Sequence, residues 1–179
     1  NAYKAKSYWS EYESDIYEYN FIPNNEIWYT ATEKIEPYEA GTFVSRQTSN
    51  TWDATTNKGV IICDGTITEI ADYAFAYTAK LTSITIPDSV VSIGNSAFNQ
   101  CSDLTSVVLP LGITKISDSM FYGCVNLTDV SIPNNVTSIE QYAFGRCESL
   151  TNITIPNSVT EIGNRAFAEC ASLKRFNGK

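Results

Sequence analysis

The apolar residues of this chain recur at a fixed interval of 23 positions. A leucine column consists of Leu81, Leu104, Leu127, Leu150 and Leu173. The same interval separates a phenylalanine column, Phe98, Phe121, Phe144 and Phe167, and a cysteine column, Cys101, Cys124, Cys147 and Cys170. Such recurrence is typical of a solenoid, in which each repeat forms one coil and buries its apolar side only against the coils above and below.

The unit at residues 81–103 shows what one coil contains. Leu81, Ile84 and Ile86 point to one side of a short predicted strand that ends at Pro87, because proline removes a backbone donor. Further along, apolar residues at intervals of three and four (residues 97, 98 and 101) indicate a short helical or 3₁₀ turn. Eight inward positions are expected in each coil. The pattern therefore predicts an α/β solenoid of strands, extended segments and short helical turns.

The first coil, from residue 58, is degenerate. Lys58 stands where later coils have the column leucine, and Thr78 stands where they have the column cysteine. An atypical coil is expected at the end of an array. At the other end, Leu173 and Phe176 begin another strand, and we expect the array to continue past Lys179.

Residues 1–57 do not carry the repeat. Residues 1–18 place several aromatic rings on one broad face and are predicted to be a helical tail. Residues 19–57 are predicted to be an amino-terminal β-hairpin cap, with a strand at residues 27–32 that returns at residues 35–38, followed by a polar stretch. The predicted organisation is therefore a tail (1–18), a cap (19–57) and a repeat array (58–179).

The repeating unit resembles a known family. The pattern LxxIxIPxSVxxIGxxAFxxC, present at residues 81–101 and 150–170, resembles the BspA-like, Treponema pallidum type of bacterial leucine-rich repeat over residues 60–179. The resemblance implies a leucine-rich-repeat right-handed coil with a parallel β-sheet on its concave face. It also implies a secreted or cell-surface protein, since some members resemble adhesins that bind host matrix proteins or other bacteria. No set of binding residues transfers across the family.

Two further segments resemble parts of the same family. NNEIWYT, at residues 24–30, resembles the lead into such arrays in gut and oral Bacteroidetes proteins. AYKAKSYWSEYESDI, at residues 2–16, resembles the tail that closes a preceding array. The resemblance implies that the chain is the middle of a longer surface protein.

Composition narrows the possible partners and reactions. The net charge is −8 and no basic cluster is present, so nucleic acid and anionic membranes are disfavoured partners. No apolar run of membrane-spanning length occurs, and no membrane insertion is expected. The chain contains no histidine, which excludes Ser-His and Cys-His nucleophile pairs and histidine-containing metal sites. We expect a non-enzymatic protein without cofactor or metal.

The cysteines and carboxylates that could suggest a metal or catalytic site have structural explanations. Cysteines 23 residues apart lack the close pairs of zinc sites, so buried free thiols are expected. Four carboxylates at outward turn positions are expected to be solvated edge charges rather than a calcium site or an acid and base pair. These are Asp72, Asp118, Glu140 and Glu161.

The remaining candidate is the exposed side of the main sheet. Its outward residues are predicted to be Thr82, Thr85, Thr105, Val108, Thr128, Ser131, Thr151 and Thr154. A flat, hydroxyl-rich strip with few charges suits a protein surface or a sugar chain, although threonine is also simply a good strand residue. The neighbouring Asp129, Asn152, Lys174 and Arg175 are better candidates for specificity.

Three functions compete. The leading hypothesis is adhesion or protein binding through the concave sheet, with host extracellular matrix or another bacterial surface protein as partner. The second is carbohydrate binding by the aromatic rings of the cap, Trp9, Trp28, Tyr29 and Trp52, although such rings commonly close the end of a core. The third is a passive spacer.

Overall fold

The protein is described by a computed structural model that covers residues 22–37, 43 and 45–177. The predicted helical tail at residues 1–18 lies outside these residues. The described strands are β1 (Glu26–Ala31), β2 (Gln47–Asp53), β3 (Lys58–Cys63), β4 (Glu69–Ile70), β5 (Leu81–Thr85), β6 (Ser92–Ile93), β7 (Ser106–Val108), β8 (Lys115–Ile116), β9 (Asp129–Val130), β10 (Ser138–Ile139), β11 (Asn152–Thr154), β12 (Glu161–Ile162) and β13 (Arg175–Asn177).

The repeats form the predicted stack of parallel strands. Strands β5, β7 and β9 pair in parallel, so that Ile84 lies beside Val107, and Val107 beside Val130. On a second side of each coil, β8, β10 and β12 form another parallel sheet, and β4 pairs with β6 in the same way. Strands β11 and β13 continue the pattern in the last coils. Each register step equals one 23-residue unit, as expected for a solenoid.

The cap differs from its prediction. Strand β1 lies between β3 and β5 and is antiparallel to both, while residues 35–37 form no strand and residue 38 lies outside the described residues. The return strand is β3, and the polar stretch that precedes it contains β2. No apolar alternation predicts β2, because its polar side chains form hydrogen bonds within the cap: Asn50 accepts a hydrogen bond of 2.9 Å from the Tyr29 hydroxyl.

The predicted helical or 3₁₀ turns are also wrong. Within the described ranges the chain forms no helix, and the Ala-Phe segments are runs of consecutive turns. In the second coil, Phe98 and Gln100 donate their N–H groups to the next coil, whereas Cys101 donates to Phe98 within its own coil. Ser96 and Gln100 adopt positive φ angles of 57° and 60°. This alternation of direction prevents the continuous i to i−4 bonding of a helix.

The core consists of the predicted columns. The column leucines from Leu81 to Leu150 and the phenylalanines from Phe75 to Phe144 are fully buried. Successive phenylalanine rings from Phe75 to Phe167 lie 5.3 to 5.5 Å apart between centroids and are nearly parallel. Such offset stacking contributes beyond the burial of area alone. In the last coil the column is half-exposed at Phe167.

The phenylalanine column provides a test of the stacking. Phe144 is 0% exposed and contacts rings on both sides, so Phe144→Ala should lower the free energy of unfolding by about 3 to 5 kcal/mol. The matched control is Phe167→Ala, because Phe167 holds the same position in the half-exposed last coil and should cost less. Urea titration measures both. A loss below about 1 kcal/mol for Phe144→Ala would contradict the proposed packing.

Candidate functional site

The side of the main sheet that faces away from the core forms a regular surface, here called the outer face. In each coil one buried residue at the middle of the strand is flanked by two outward residues. The buried residues are Ile84, Val107, Val130 and Ile153. The outer face consists of Ser83, Thr85, Ser106, Val108, Asp129, Ser131, Asn152 and Thr154. Six of these eight are exposed, and Ser83 and Thr85 are half-buried. The surface therefore offers short hydroxyl and amide groups with one carboxylate.

The threonines at the start of each strand, Thr82, Thr105, Thr128 and Thr151, lie at the edge of this face, and their part in binding stays a prediction. The Thr30 hydroxyl lies 2.6 Å from the Thr82 hydroxyl and 2.7 Å from the Ser83 hydroxyl. At Thr82 the pairing between β1 and β5 is irregular: Ala31 pairs with Leu81 but Thr30 pairs with Ser83. This shift allows Leu81 and Ile84, three residues apart, to reach the same core. Counting alternate residues backward from the outward Thr85 and Val108 gives Ser83 and Ser106 as further outward residues.

Two hydroxyl groups of this threonine column donate hydrogen bonds between coils. Thr105 donates to the Thr82 carbonyl at 3.0 Å, and Thr128 donates to the Thr105 carbonyl at 3.2 Å. The fourth member, Thr151, accepts a hydrogen bond of 3.1 Å from the Asn152 amide. These threonines therefore stand at the rim of the sheet with their hydroxyls already bonded.

The residues predicted to confer specificity take different places. Asp129 lies beside Ser106 in the register of the sheet, and Asn152 is its counterpart one coil further on. Lys174 is exposed and precedes β13, whereas Arg175 pairs with Asn152 through the backbone. Asp129 and Asn152 thus share one column of the outer face. That any of these residues contacts a ligand stays a prediction.

The cap borders one end of the outer face with buried aromatic side chains. Trp28 pairs with Thr85 in the register of β1 and β5, and its ring is 5% exposed in a small cluster with Ile22 and Val60. Its indole N–H donates to the Glu26 carboxylate at 2.7 Å. Because this ring is covered, it offers little surface for stacking on a sugar.

The other cap rings are similarly placed. Tyr29 is 1% exposed, and burial raises its pKa to about 12. Trp52 is half-buried against the core and donates its indole N–H to the Ala31 carbonyl at 3.3 Å. Trp9 lies outside the described residues. Tyr29 and Trp52 close the end of the core, and Trp28 is covered by a separate small cluster. This burial disfavours the hypothesis of carbohydrate binding by the cap.

The cysteine column consists of protonated donors. The thiols of Cys101, Cys124, Cys147 and Cys170 each donate to the carbonyl of the preceding coil's column phenylalanine, at 3.0 to 3.2 Å. The cysteines are free, and the first three are fully buried, as predicted. Burial raises the pKa of Cys101 to about 12 and raises the pKa of Cys124 well above its usual value. A buried, protonated thiol is a poor nucleophile.

The edge carboxylates serve local contacts. Asp72 accepts the N–H of Asn95 at 2.6 Å, and Glu140 forms an ion pair of 3.3 Å with Lys115. Asp118 accepts a hydrogen bond of 2.6 Å from the Ser119 hydroxyl, and Glu161 is exposed. Partly exposed pairs of this kind contribute little to stability.

Comparisons with known proteins agree with this architecture. The profile of the BspA type leucine-rich repeat region matches residues 68–179 in 6 copies. A leucine-rich cell surface protein from Faecalibacterium prausnitzii is 39% identical with a TM-score of 0.62, over 64% of this chain and 31% of that chain. A leucine-rich repeat protein from Bacteroides ovatus is 37% identical with a TM-score of 0.61, over 63% and 29%. The T. pallidum leucine-rich repeat protein is 30% identical with a TM-score of 0.63, over 79% and 71%.

The coils, their parallel sheets and these similarities define a leucine-rich-repeat solenoid. The chain belongs to the BspA type leucine-rich repeat family, which confirms the resemblance seen in its repeating unit. It spans about a third of the length of the first two solved relatives. A search of curated proteins found no match.

The coarse properties of the class follow. Leucine-rich repeat proteins typically mediate protein–protein interaction or adhesion and are generally not enzymes. In the part of the chain that the structure describes, no helix has the length and hydropathy needed to span a bilayer. The matched profile begins at residue 68, ten residues after the predicted start of the array at residue 58. The three predicted segment boundaries stay predictions.

Thiol modification tests the cysteine column. At about pH 8 iodoacetamide should modify Cys170 before Cys124, because Cys170 is half-buried whereas Cys124 is fully buried and its pKa is raised further. Peptide mass spectrometry over time measures the order. Chain unfolded in urea is the control and should react at all sites alike. Equal rates in the folded chain would contradict the buried column.

The raised thiol pKa values also predict a dependence of stability on pH. For Cys101 the pKa rises from 9.0 in the unfolded chain to about 12 in the fold. The protonated Cys101 thiol therefore contributes fully to the free energy of unfolding below pH 9.0. This contribution is lost as the pH rises from 9.0 towards 12. Urea titrations at pH values on both sides of 9.0 should show the decline, and Cys101→Ser, which keeps a donor, should reduce it. An undiminished decline in the variant would assign the effect to other groups.

Proposed function

We propose that this array is a non-enzymatic binding module of a secreted or cell-surface bacterial protein, and that its outer face holds a protein partner. The observation that carries the proposal is the outer face itself. Its exposed side chains are short and uniform, and only Asp129 of its eight residues carries a charge. Such a surface costs little to desolvate, while hydroxyl and amide groups one coil apart supply hydrogen bonds at regular spacing.

The partner is a host extracellular-matrix protein or a surface protein of another bacterium. The F. prausnitzii relative is described as a cell surface protein, which supports the location. Specificity would come from the column of Asp129 and Asn152, which interrupts the hydroxyl-bearing residues of the face. Lys174 and Arg175, at the next coil, would extend it with positive charge.

One exposed apolar group favours contact with protein. Val108 is 36% exposed at the middle of the face, between the coils of Thr85 and Ser131. Protein interfaces combine apolar contact area with polar groups that hydrogen-bond across the contact, and Val108 supplies apolar area among the hydroxyl-bearing residues of the face. A passive spacer would gain nothing from this arrangement.

Charge substitution on the face tests the proposal. The variant Thr85→Lys, Val108→Lys, Ser131→Lys and Thr154→Lys should abolish binding to immobilised extracellular-matrix proteins, because long cations replace short neutral groups across the contact. Surface plasmon resonance against single purified matrix proteins measures binding, and circular dichroism verifies the fold.

The matched control places four lysines elsewhere. Val91, Ser92, Leu111 and Asn134 are exposed and lie off the outer face, so their replacement by lysine adds the same charge and should preserve binding. Glutamine at the four face positions separates bulk from charge if the lysine variant folds poorly. Binding that survives both face variants would refute the proposal.

A further inference from the structure

A groove runs along the turn segments of the array, away from the outer face. It has a volume of about 620 Å³ and is lined by residues from four successive coils. This size lies within the roughly 300–1,000 Å³ typical of small-molecule sites. Its polar and aromatic lining includes Asn99, Ser119, Tyr122, Tyr142, Arg165 and Glu169.

Two tyrosine rings form the centre of this turn groove. Tyr122 and Tyr142 meet edge to face with their centroids 5.9 Å apart. Gly145 makes the arrangement possible, since a Cβ there would lie 2.8 Å from the Tyr122 ring and 3.3 Å from the Tyr142 ring. Both rings are half-buried, so they are held by the scaffold while part of their surface stays open. Fixed aromatic surfaces lose little conformational freedom on binding.

Arg165 stands beside these rings. Arg165 donates to the Tyr142 hydroxyl at 2.7 Å, and its guanidinium lies 5.8 Å from the centre of that ring. Among the described residues it forms no ion pair, whereas Glu169 is paired with Arg146 at 3.4 Å. The turn groove therefore presents a guanidinium that is held by the Tyr142 hydroxyl and forms no ion pair with a described carboxylate. Such a fork matches a ligand carboxylate.

We propose that the turn groove binds a saccharide that carries a carboxylate. The apolar C–H face of a pyranose ring would pack on Tyr122, and its hydroxyls would reach the amide of Asn99, the hydroxyl of Ser119 and the carboxylate of Glu169. The sugar carboxylate would pair with Arg165. A protein partner fits less well because of size: the turn groove is lined by seven residues, whereas a stable protein interface uses about 20–30 residues on each side.

The positions of Tyr142 and Arg165 in the repeat indicate that these residues serve a binding site rather than the packing of the coils. The column that contains Tyr142 and Arg165 reads Tyr73, Ser96, Ser119, Tyr142 and Arg165 along the five coils. The coil stack is maintained through all of these substitutions. The pairing of Tyr142 with Arg165, next to Tyr122, therefore occurs once among the described coils, and the other coils stack without it.

Binding of defined oligosaccharides tests the proposal. Isothermal titration calorimetry compares trigalacturonate with galactotriose and sialyllactose with lactose, which distinguishes a uronic acid from a sialic acid as the source of the carboxylate. At least one acidic sugar should bind about tenfold or more tightly than its neutral counterpart, and added salt should weaken it. No binding of either acidic sugar, or equal binding of acidic and neutral sugars, would overturn the proposal.

Variants locate the site. Arg165→Gln should remove the preference for the acidic sugar, and Tyr122→Ala should weaken binding about tenfold or more. Tyr73→Ala is the matched control, because Tyr73 occupies the column of Tyr142 in the first coil, is 49% exposed and lies outside the turn groove. Arg165 is exposed, so its replacement leaves the fold testable even if Tyr122→Ala does not fold. Acidic-sugar binding unaffected by Arg165→Gln would overturn the proposal.

The proposals for the outer face and for the turn groove can be refuted separately. The lysine variant of the outer face should retain sugar binding, and Arg165→Gln should retain protein binding. Loss of sugar binding in the correctly folded lysine variant would place the sugar on the sheet and overturn the assignment to the turn groove.

Discussion

Contact between adjacent coils is the constraint on which this structure depends. Each coil is a thin loop of chain that cannot enclose its own apolar residues, so its leucine, phenylalanine and cysteine find neighbours only in the coils beside it. Backbone hydrogen bonds follow the same direction: the N–H of Phe98 bonds to Met120, and that of Phe121 to Ala143. Burial and hydrogen bonding therefore demand the same 23-residue spacing, which explains why the repeat is strict.

The column cysteine illustrates how a side chain satisfies both demands. It fills a small buried space, and its thiol supplies a second donor to a phenylalanine carbonyl of the coil before it. Alanine would fill part of the space without the hydrogen bond, and serine would bond but bury a more polar group. The column cysteines, which could suggest a metal or redox site, therefore serve packing and hydrogen bonding between coils. Binding is left to side chains on surfaces that do not contact a neighbouring coil.

The sequence predicts those residues whose surroundings are the same in every coil, and fails where a residue has surroundings of its own. The buried columns were predictable because the stack gives every member one environment. Strand β2 was not, because Asn50 and its polar neighbours are satisfied by hydrogen bonds to the cap rather than by an apolar pattern. The turns were mistaken for helices because Ala97, Phe98 and Cys101 have helical spacing, while the direction of their N–H groups is set by the next coil. The edge of the outer face near Thr82 could not be predicted from alternation, because a local irregularity interrupts the pairing of β5 there.

The candidate sites differ in the same way. Most of the outer face could be found by counting alternate residues, since a strand has a fixed period. The turn groove could not, because Tyr122, Tyr142 and Arg165 come from three coils and share no motif. Their departure from the repeat was the available signal: in a chain whose columns are nearly uniform, a residue that breaks its column is free of the packing constraint and open to selection for recognition.

Strand β1 has a consequence for how such arrays vary in length. By occupying the edge of β5, it seals one end of the parallel ladder, whereas every later junction joins two like surfaces. Duplication or deletion of a complete unit beyond β5 would leave the sealed end untouched and recreate an equivalent junction. Evolution can therefore lengthen or shorten the scaffold, and shift the spacing between its recognition surfaces, without redesigning its start.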